Sequence, residues 1–405
     1  MELFITVNSP GEIAGWLLPL AEHVKQLDPG TVVTAIVLPC QYAGGREEAI
    51  VRAADGVDRV VRLGGLMKRV LSGDISRRPD GRRIVLHLGG DRAYTLVVVK
   101  LLRAAAWAHG TSARWHRHFE HFLVPDRRTA EKLILRGVAA DRISVIGQIV
   151  VDSVPAGEGA SRCRERLGLA ADGPPVLTFL PGSRPVEVEF MLPFYAAVVE
   201  DLQSRWGRVR CLVALAPFVG REVVDEAVRR KGFQWAWEGD VAGIRLPSGA
   251  HLQPVWYEPF VAMGAADLAV TIPGTNTLQL AALGIPTLLV VPGDKAELIP
   301  LDGLLGLLNP AWPPVRAIKR RILFRMNRRL AHLAIPNIIA GERVVPELRG
   351  EVAPEDVAAG IAALLEDEPA REAMSRCLME IAGPRGAAAR AAALLLGEEL
   401  CASAV

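Results

Sequence analysis

The sequence predicts an α/β protein with two doubly wound domains that face a central cleft. The chain has 405 residues, whereas a single hydrophobic core stops growing at about 250 to 300 residues, so two domains are expected. Short β-branched runs also alternate with helix-like stretches, a pattern typical of parallel sheets covered by helices. We expect a first domain over 1–155, a second over 156–375, and a carboxyl-terminal helix over 376–400 that packs back on the first domain.

The β-branched runs set the order of the predicted strands. In the first domain they lie at 2–7, 31–38, 59–63, 83–88, 121–125 and 143–147. After a loop rich in Gly, Ser and Pro, further runs lie at 175–181, 209–217, 266–274 and 286–291. Doubly wound sheets bind ligands outside the carboxyl ends of their strands, so the loops that follow these runs carry the candidate site residues.

Composition and charge exclude several function classes. Half of the residues are hydrophobic and the formal net charge is +2, which is typical of a globular protein rather than a disordered or nucleic-acid-coating one. The five cysteines lie far apart without a Cys-x-x-Cys pair. We therefore expect free thiols in a reducing, cytoplasmic compartment, and no disulfide or zinc framework.

Neither a signal peptide nor a membrane span is expected. The amino terminus lacks a basic region and reaches Asn, Pro, Gly and Glu within its first dozen residues. The most apolar stretch, 278–292, is interrupted by Gly284 and Pro286. It is also shorter than the roughly 20 residues that a bilayer helix needs.

The loop after the first predicted strand of the second domain combines groups that bind anions. Pro181, Gly182, Ser183 and Arg184 follow a buried-looking run and precede a helix-like stretch. Main-chain N–H groups, a hydroxyl and a guanidinium at a helix amino terminus can hold a diphosphate without a metal. An ordinary turn with a solvent-facing arginine is the competing interpretation.

A second loop of this type follows the strand predicted near 266–272. Gly274 permits close approach of a ligand, and Thr275 and Asn276 can bind phosphate oxygens. Gln279, one helical turn later, can reach a ribose. Simple capping of the helix by Thr275 or Asn276 uses the same groups and is compatible with phosphate binding.

Two carboxylates follow predicted strands of the first domain. Glu12 lies between two glycines in the first strand-to-helix loop, and Asp91 lies behind two glycines after 83–88. Such a carboxylate can act as general base on an acceptor hydroxyl, or it can cap a helix or form a structural ion pair. The spacing is not the dinucleotide Gly-x-Gly-x-x-Gly pattern, and no acidic residue ends the second strand, so no nicotinamide cofactor is expected.

No metal site is expected. His116 and His118 alternate ahead of a strand, but the sequence offers no second pair of ligands for them. The sequence also lacks an Asp-x-Asp pair. A reaction on a nucleotide-linked sugar would therefore rely on helix termini and Arg184 in place of Mg²⁺.

The segment 315–330 contains seven Arg or Lys residues and no acid. On a helical wheel its apolar residues share one face and most basic residues surround it, which is typical of a helix lying on an anionic membrane surface. A helix packed on its own domain, with solvated arginines, is the alternative. The expected membrane contacts are Ile318, Arg320, Arg321, Ile322, Arg325 and Met326.

Directly behind this segment, 335–348 reads IPNIIAGERVVPEL. Its apolar frame holds the amide of Asn337 and the carboxylates of Glu342 and Glu347 between two prolines and a glycine. Buried polar groups of this kind are unusual in plain core, so the segment is a candidate for a functional role.

Several of these motifs together resemble the lipid-A-disaccharide synthase family, glycosyltransferases of the GT-B type with two Rossmann-like domains. PGSRPVEVE resembles the family's Leu-Pro-Gly-Ser-Arg-x-x-Glu loop, and PGTNTLQLAALGIP resembles its Ser-Gly-Thr-x-x-x-Glu nucleotide helix. IPNIIAGERVVPEL is similar to its Leu-Pro-Asn-x-x-Ala-Gly signature, and GEIAG to Gly-Glu-x-Ser-Gly. GGD falls where the family has a catalytic aspartate.

The resemblance implies an inverting transfer of an acylated glucosamine from a UDP carrier to a lipid-linked sugar, without a metal or another cofactor. Asp91, with Glu12 as second choice, would take the acceptor proton in an acceptor-side first domain. Arg184 and two helix amino termini, at Gly182–Ser183 and at Gly274, would stabilise the departing UDP. Thr275, Asn276 and Gln279 would hold the nucleotide. Asn337, the third expected catalytic residue after Asp91 and Glu12, would line the site beside them.

The resemblance also implies partners and a location. The expected partners are a UDP-sugar donor, a lipid-linked sugar acceptor and an anionic membrane surface, with no nucleic acid; a homodimer is compatible with the sequence. The protein would work as a peripheral enzyme on the cytoplasmic face of the membrane.

The chain departs from the family pattern at several positions, which makes it a divergent member. Ala14 and Trp16 replace a serine and an aspartate, Gln279 replaces the ribose-binding glutamate, and Gln148 replaces a histidine. These departures lie mainly on the acceptor side. Two other functions therefore stay open: a UDP-N-acetylglucosamine 2-epimerase, and a membrane-associated protein that binds nucleotide or lipid without turnover.

Overall fold

The computed structural model describes residues 1–39, 44–76, 81–156, 159–170, 172–207, 209–238, 241–292 and 330–398. Contacts between Cα atoms divide the chain into two compact units. The first unit contains the described residues of Met1–Ser153 and Gly383–Val405, and the second contains those of Val154–Leu301 and Leu308–Ala382.

The first unit is built on a parallel sheet. Its described strands are β1 (Glu2–Val7), β2 (Val32–Val37), β3 (Arg59–Arg62), β4 (Arg83–His87), β5 (Ala105–His109), β6 (His121–Val124) and β7 (Ile143–Val145). The strand order is β3-β2-β1-β4-β5-β6-β7, and Leu3 on β1 lies opposite Val33 on β2 and Ile84 on β4. The strands read as nearly continuous apolar runs because helices cover both faces of such a sheet.

Helices connect most of these strands. Within the described residues they are α1 (Pro10–Glu12), which continues through a π-helical turn (Ile13–Leu17) into α2 (Leu18–Leu27), then α3 (Glu47–Arg52), α4 (Leu63–Leu71), α5 (Arg92–Leu102), α6 (Arg127–Leu135) and α7 (Ile149–Asp152). Short 3₁₀ turns lie at His116–His118 and Ala140–Arg142. No helix joins β5 to β6, where the chain returns through the loop 110–120 instead.

The second unit is built on a mixed sheet. Its described strands are β8 (Val176–Leu180), β9 (Arg210–Ala214), β10 (Gln234–Glu238), β11 (Val241–Arg245), β12 (His251–Val255), β13 (Leu268–Thr271), β14 (Thr287–Pro292) and β15 (Glu347–Gly350). The order is β10-β11-β12-β9-β8-β13-β14-β15. The pairs β10–β11 and β11–β12 are antiparallel, and the other pairs are parallel.

Helices surround this second sheet. Those described are α8 (Ala160–Arg166), α9 (Pro185–Trp206), α10 (Arg221–Arg230), α11 (Pro259–Gly264), α12 (Asn276–Ala282), α13 (Ile335–Ala340), α14 (Pro354–Glu366) and α15 (Glu368–Ala382). The last described helix, α16 (Ala387–Leu396), belongs to the first unit.

Helix α16 packs on α2 and α7 of the first unit. The carboxylate of Asp152 accepts hydrogen bonds from the main-chain N–H groups of Gly386 and Ala388, at 2.7 and 2.6 Å. Arg390 Nε donates to the carbonyl of Ile146 at 2.7 Å. These charge-assisted bonds tie the amino-terminal turn of α16 to the end of the first sheet.

Each sheet has one point at which the chain reverses its direction of strand addition. In the first unit this point lies between β1 and β4, and in the second unit it lies between β8 and β13. Ligands of doubly wound proteins bind at such points, beyond the carboxyl ends of the strands. The loops that follow β1, β4, β8 and β13 are therefore the places to look for a site.

The structure confirms the predicted doubly wound α/β class and adds strands that the sequence pattern did not reveal. Strand β5 (AAWAH) carries three alanines, and alanine is not a β-former. The hairpin β10–β11 alternates large and small residues without a β-branched run. Strand β15 lies in the segment that attracted attention for its polar residues.

Candidate functional site

The loop after β1 is closed by Glu12. Its Oε2 accepts hydrogen bonds from the N–H groups of Asn8 and Ser9, at 2.8 and 3.2 Å, and its Oε1 accepts one from Gly90 at 3.3 Å. A Cβ at Gly89 would overlap this carboxylate. Glu12 therefore joins the ends of β1 and β4, and three main-chain donors occupy the carboxylate that was the second-choice base.

Asp91 caps helix α5. Its Oδ1 accepts a hydrogen bond from the N–H of Ala93 at 2.8 Å, and its Oδ2 lies 4.0 Å from Nη1 of Arg114. The side chain is 9% exposed. Asp91 thus caps the helix, as the capping interpretation predicts. Its other oxygen faces a cation and accepts no N–H from the main chain of the described residues.

Buried polar side chains of β1, β4 and α5 form a cluster that the sequence interpretation missed. His87 Nδ1 lies 2.8 Å from Thr95 Oγ1, which lies 2.9 Å from Thr6 Oγ1. Burial lowers the pKa of His87 to about 3, with further lowering by Arg92 and by His109. His87 is therefore neutral at physiological pH. The only signal in the sequence was a histidine inside the apolar run 83–88.

His109 and Arg92 complete this cluster. His109 Nδ1 donates to the carbonyl of Leu123 at 3.0 Å, and burial lowers the pKa of His109 to about 4 although that hydrogen bond raises it. The ring of Trp16, which stands where the family has an aspartate, contacts His109 edge to face with centroids 5.5 Å apart. Burial, together with Arg114, lowers the pKa of Arg92 to about 10. An indole thus packs on a buried, neutral histidine at the position where the family has an aspartate.

The loop after β8 repeats the arrangement seen after β1. Glu187 Oε2 accepts hydrogen bonds from the N–H groups of Ser183 and Arg184, at 2.8 and 3.0 Å, and Glu187 Oε1 pairs with Arg184 Nη1 at 3.0 Å. Gly182 has φ +112°, and a Cβ there would overlap the Glu187 carboxylate. Glu187 thus engages the two N–H groups that are expected to bind a diphosphate.

The loop after β13 presents free donors. In the part of the chain that the structure describes, the N–H groups of Gly274, Thr275 and Asn276 donate no hydrogen bond. Asn276 Nδ2 donates to Thr271 Oγ1 at 2.5 Å, while Asn276 Oδ1 is buried and has no hydrogen-bond partner among the described residues. Gln279 is buried one turn further along α12. Unsatisfied donors and a buried acceptor at one helix start indicate a place for a polar ligand.

Thr277 fixes the geometry of this loop. Its hydroxyl donates to the carbonyl of Gly274 at 2.8 Å and accepts from the N–H of Ile335 at 3.2 Å. Thr277 is buried, so both bonds form away from water. The start of α13 therefore holds the start of α12 through one side chain.

Asn337, which is expected to be catalytic, forms hydrogen bonds with the chain that follows it. Its Nδ2 donates to the carbonyl of Val345 and to Glu347 Oε1, both at 2.8 Å. Its Oδ1 accepts from the N–H groups of Val344 and Val345, at 2.9 and 2.7 Å. The side chain is fully buried. All four hydrogen bonds available to an amide are formed within the loop, so none is left for a substrate.

Glu347 extends the same network to the chain before α13. Its carboxylate accepts from the N–H groups of Leu333 and Ala334, at 3.0 and 2.9 Å, and pairs with Arg349. Asn337 and Glu347 thus fix the segment that presents the Ile335 N–H to Thr277. Asn337 and Glu347 of IPNIIAGERVVPEL thus support the α12 loop.

The remaining predictions concern a membrane-facing helix, a metal site and a membrane span. The expected membrane contacts Ile318, Arg320, Arg321, Ile322, Arg325 and Met326 lie outside the described residues. Among the described residues, no three His, Cys, Asp or Glu side chains are close enough together to hold a metal ion. None of the described helices is long and apolar enough to cross a bilayer.

Comparisons with known proteins identify the family. No family model matches the chain. A protein named lipid-A-disaccharide synthase from Myxococcus xanthus is 27% identical over 87% of this chain and 84% of its own length. One of the same name from Alkalilimnicola ehrlichii is 30% identical over 72% of this chain and 66% of its own length.

Solved structures share the fold at low sequence identity. MurG from Acinetobacter baumannii has a TM-score of 0.53 and 13% identity over 98% of this chain and 99% of its own. A UDP-GlcNAc 2-epimerase from Neisseria meningitidis has a TM-score of 0.54 and 12% identity over 98% and 100%. These likenesses establish the two-domain GT-B architecture. The sequence relatives make the chain a divergent member of the lipid-A-disaccharide synthase family, and hence a UDP-sugar-dependent glycosyltransferase.

Proposed function

We propose that the protein transfers an acylated glucosamine-type sugar from a UDP carrier to a lipid-linked sugar, with inversion and without a metal. The proposal rests on the start of α12 in a chain of this family. Among the described residues, the N–H groups of 274–276 donate no hydrogen bond there and the buried Asn276 Oδ1 accepts none. Donor N–H groups at a helix amino terminus are suited to a diphosphate.

The nucleotide end of the donor would bind at this loop. The three N–H groups and the positive end of α12 would face the diphosphate oxygens. Asn276 offers an oxygen, because its Nδ2 is held by Thr271. An acceptor group suits a ribose hydroxyl better than a phosphate oxygen, so Asn276 joins Gln279 on the nucleoside side.

Arg184 would supply the permanent positive charge. Its guanidinium is oriented by Glu187 and largely buried, and such a preorganised cation stabilises negative charge that develops on a leaving group. In this proposal Arg184 and the α12 loop carry the departing UDP. The N–H groups of Ser183 and Arg184 have no part in it, because Glu187 occupies them.

Asp91 would act as the base. The acceptor hydroxyl oxygen attacks the anomeric carbon as the bond from that carbon to the UDP oxygen breaks, and Asp91 takes the hydroxyl proton. Asp91 is a better candidate than Glu12, since it accepts one main-chain N–H and Glu12 accepts three. The lipid-linked acceptor would be met at the cytoplasmic face of an anionic membrane.

Product analysis tests the proposal. The protein is incubated with UDP-linked acylglucosamine and a lipid-linked glucosamine phosphate in EDTA, and UDP and the lipid product are measured by mass spectrometry. We expect UDP release that requires the acceptor, and a product of inverted anomeric configuration by NMR. Release of a C2 epimer from UDP-N-acetylglucosamine would favour the epimerase. Thermal stabilisation by UDP without turnover of any donor would favour a binding protein.

A further inference from the structure

Arg92, the first residue of α5, is a buried cation. It is 6% exposed and forms no ion pair with any residue in the described ranges. Its guanidinium carbon lies 5.1 and 5.7 Å from the ring centroids of Phe119 and Phe122. The pKa of about 10, which burial and then Arg114 lower from the usual value, still leaves the group protonated at neutral pH. An apolar side chain would avoid the cost of taking this charge out of water, so stability alone does not account for the arginine.

Arg92 anchors the first half of the loop 110–120. Its Nη1 donates a charge-assisted hydrogen bond to the carbonyl of Arg114 at 2.9 Å. The second half of the loop has a different anchor, because Arg142 donates to the carbonyls of His116 and Glu120 at 3.0 and 3.1 Å. Within the described part of the chain, no other side chain from outside the loop forms a hydrogen bond with 110–115. The position of the Arg114 main chain therefore depends on Arg92.

The backbone beside Arg114 is strained. Trp115 has φ +60°, a conformation that residues with a Cβ rarely adopt, and the Arg114 guanidinium lies 5.1 Å from the Trp115 ring centroid. A buried cation and a left-handed tryptophan are both costly, and both fix the same short piece of chain. Strain of this kind persists where the surrounding structure imposes it, often at a functional site.

The piece of chain fixed in this way places a guanidinium beside Asp91. Arg114 Nη1 lies 4.0 Å from Asp91 Oδ2, while Asp91 Oδ1 accepts the N–H of Ala93 at 2.8 Å. A separation of 4.0 Å is too long for a hydrogen bond, so the cation attracts and orients Oδ2 without occupying its lone pairs. An oxygen held like this can accept the proton of a hydroxyl.

We propose that Arg92 is a positioning residue for the transfer reaction. Through the Arg114 carbonyl it holds the loop 110–120 so that the Arg114 guanidinium orients the Asp91 carboxylate towards the acceptor hydroxyl. The inference rests on the proposed function, in which Asp91 is the base. Loss of this anchor lowers kcat and leaves UDP binding unchanged, because neither arginine contacts the nucleotide.

Hydrogen exchange tests the anchor without any substrate. The main-chain N–H groups of Gly110, His116 and His118 donate hydrogen bonds, so their exchange rates report on the order of the loop. Arg92→Met loses the donor, and Lys100→Met is the control, because it removes a charge at an exposed position of the same helix. We expect Arg92→Met to speed exchange of these groups about tenfold or more, and Lys100→Met to leave it unchanged. Unchanged exchange in Arg92→Met would overturn the proposal.

Steady-state kinetics test whether the anchor serves Asp91. With a lipid-linked acceptor, kcat should fall about tenfold in Arg92→Met and in Arg114→Met, with the Kd for UDP unchanged. The double variant should also fall about tenfold, because Arg92 acts through Arg114. A loss of about a hundredfold in the double variant would mean that the two arginines act independently, and would contradict the proposal.

Further comparisons separate positioning from a purely structural role. Arg92→Lys keeps a cationic donor and should restore most of kcat and of the protection from exchange. The Arg114 side chain is 56% exposed, so Arg114→Met should fold whatever Arg92→Met does. A kcat that merely follows the melting temperature across these variants would contradict the proposal. A wild-type chain without turnover would contradict the transfer reaction and with it this role of Arg92, whereas an active chain whose Arg92→Met variant keeps its kcat would contradict the anchor alone.

Discussion

Glu12 and Glu187 perform the same task in the two units. Each carboxylate accepts hydrogen bonds from two consecutive main-chain N–H groups in the loop after the first strand of its sheet, at distances between 2.8 and 3.2 Å. Each also occupies space that only glycine leaves open, at Gly89 and at Gly182. In each unit, therefore, a carboxylate of the chain itself occupies the main-chain N–H groups of the loop after the first strand.

Gly89→Ala tests this packing. The added Cβ would overlap the Glu12 carboxylate and displace it from three N–H donors, so we expect the free energy of unfolding to fall by about 2 to 4 kcal/mol. Gly64→Ala is the control, because a Cβ there meets nothing within 4 Å. Urea unfolding of the two variants gives the comparison, and equal stabilities would show that Glu12 can move aside freely.

Two substitutions distinguish the capping role of Asp91 from its proposed role as the base. Asparagine also caps helices, so Asp91→Asn should leave the melting temperature nearly unchanged while turnover collapses and UDP binding persists. Asp91→Ala should in addition lose about 1 kcal/mol of stability, the usual contribution of an N-cap. Steady-state kinetics, UDP titration and urea unfolding provide the three readouts. Retained turnover in Asp91→Asn would remove Asp91 from the reaction.

Thr277 offers a test of how the α12 loop is held. Thr277→Val keeps the shape but loses both hydrogen bonds, so we expect about 1 to 3 kcal/mol lower stability and weaker UDP binding. Thr277→Ser keeps the hydroxyl and should retain most of the affinity. Calorimetric titration with UDP compares the two variants. If valine and serine bind UDP equally well, the link from Ile335 through Thr277 to Gly274 does not position the loop.

His87 and His109 should make stability depend on pH. Their folded-state pKa values of about 3 and about 4 lie below the value of about 6.5 for unfolded histidine. The unfolded chain therefore binds more protons, and stability is lost as the pH falls from about 6.5 towards 4. At pH 5 each histidine should account for about 2 kcal/mol of this loss.

Urea unfolding at pH 7 and pH 5 measures this effect. The difference in unfolding free energy between the two pH values should shrink by about 2 kcal/mol in His109→Gln, and again when His87→Gln is added. Asp91→Asn serves as a comparison, because it should leave the histidine contribution in place. An unchanged pH dependence in the double variant would mean that neither histidine is buried neutral in the native state.

The sequence could predict the doubly wound class because β-branched runs such as 2–7 and 176–180 favour buried strands, which they form here as β1 and β8. It could not predict β5 or the β10–β11 hairpin, whose alanines and tryptophans become strand only through pairing with neighbours. Likewise, the carboxyl-terminal helix shows an apolar face in the sequence, but the caps supplied by Asp152 do not.

At the candidate site, the positions of the loops were predictable and the hydrogen bonds within them were not. Ser183 and Arg184 have the residue types of an anion-binding turn, but Glu187, three residues further on, closes that turn from inside. Asn337 was recognisable as unusual. Its role depends on Val345 and Glu347 lying beside it in three dimensions, which periodicity does not reveal.

Calorimetric titration of UDP into the protein in EDTA tests the central claim most directly, namely that the α12 loop and Arg184 hold the diphosphate without a metal. We predict that UDP binds with the same affinity in EDTA and in Mg²⁺. Arg184→Ala should weaken that binding at least about tenfold, with Arg184→Lys between the two and with melting temperatures showing that both variants fold. Binding that disappears in EDTA, or unchanged affinity in folded Arg184→Ala, would contradict the account.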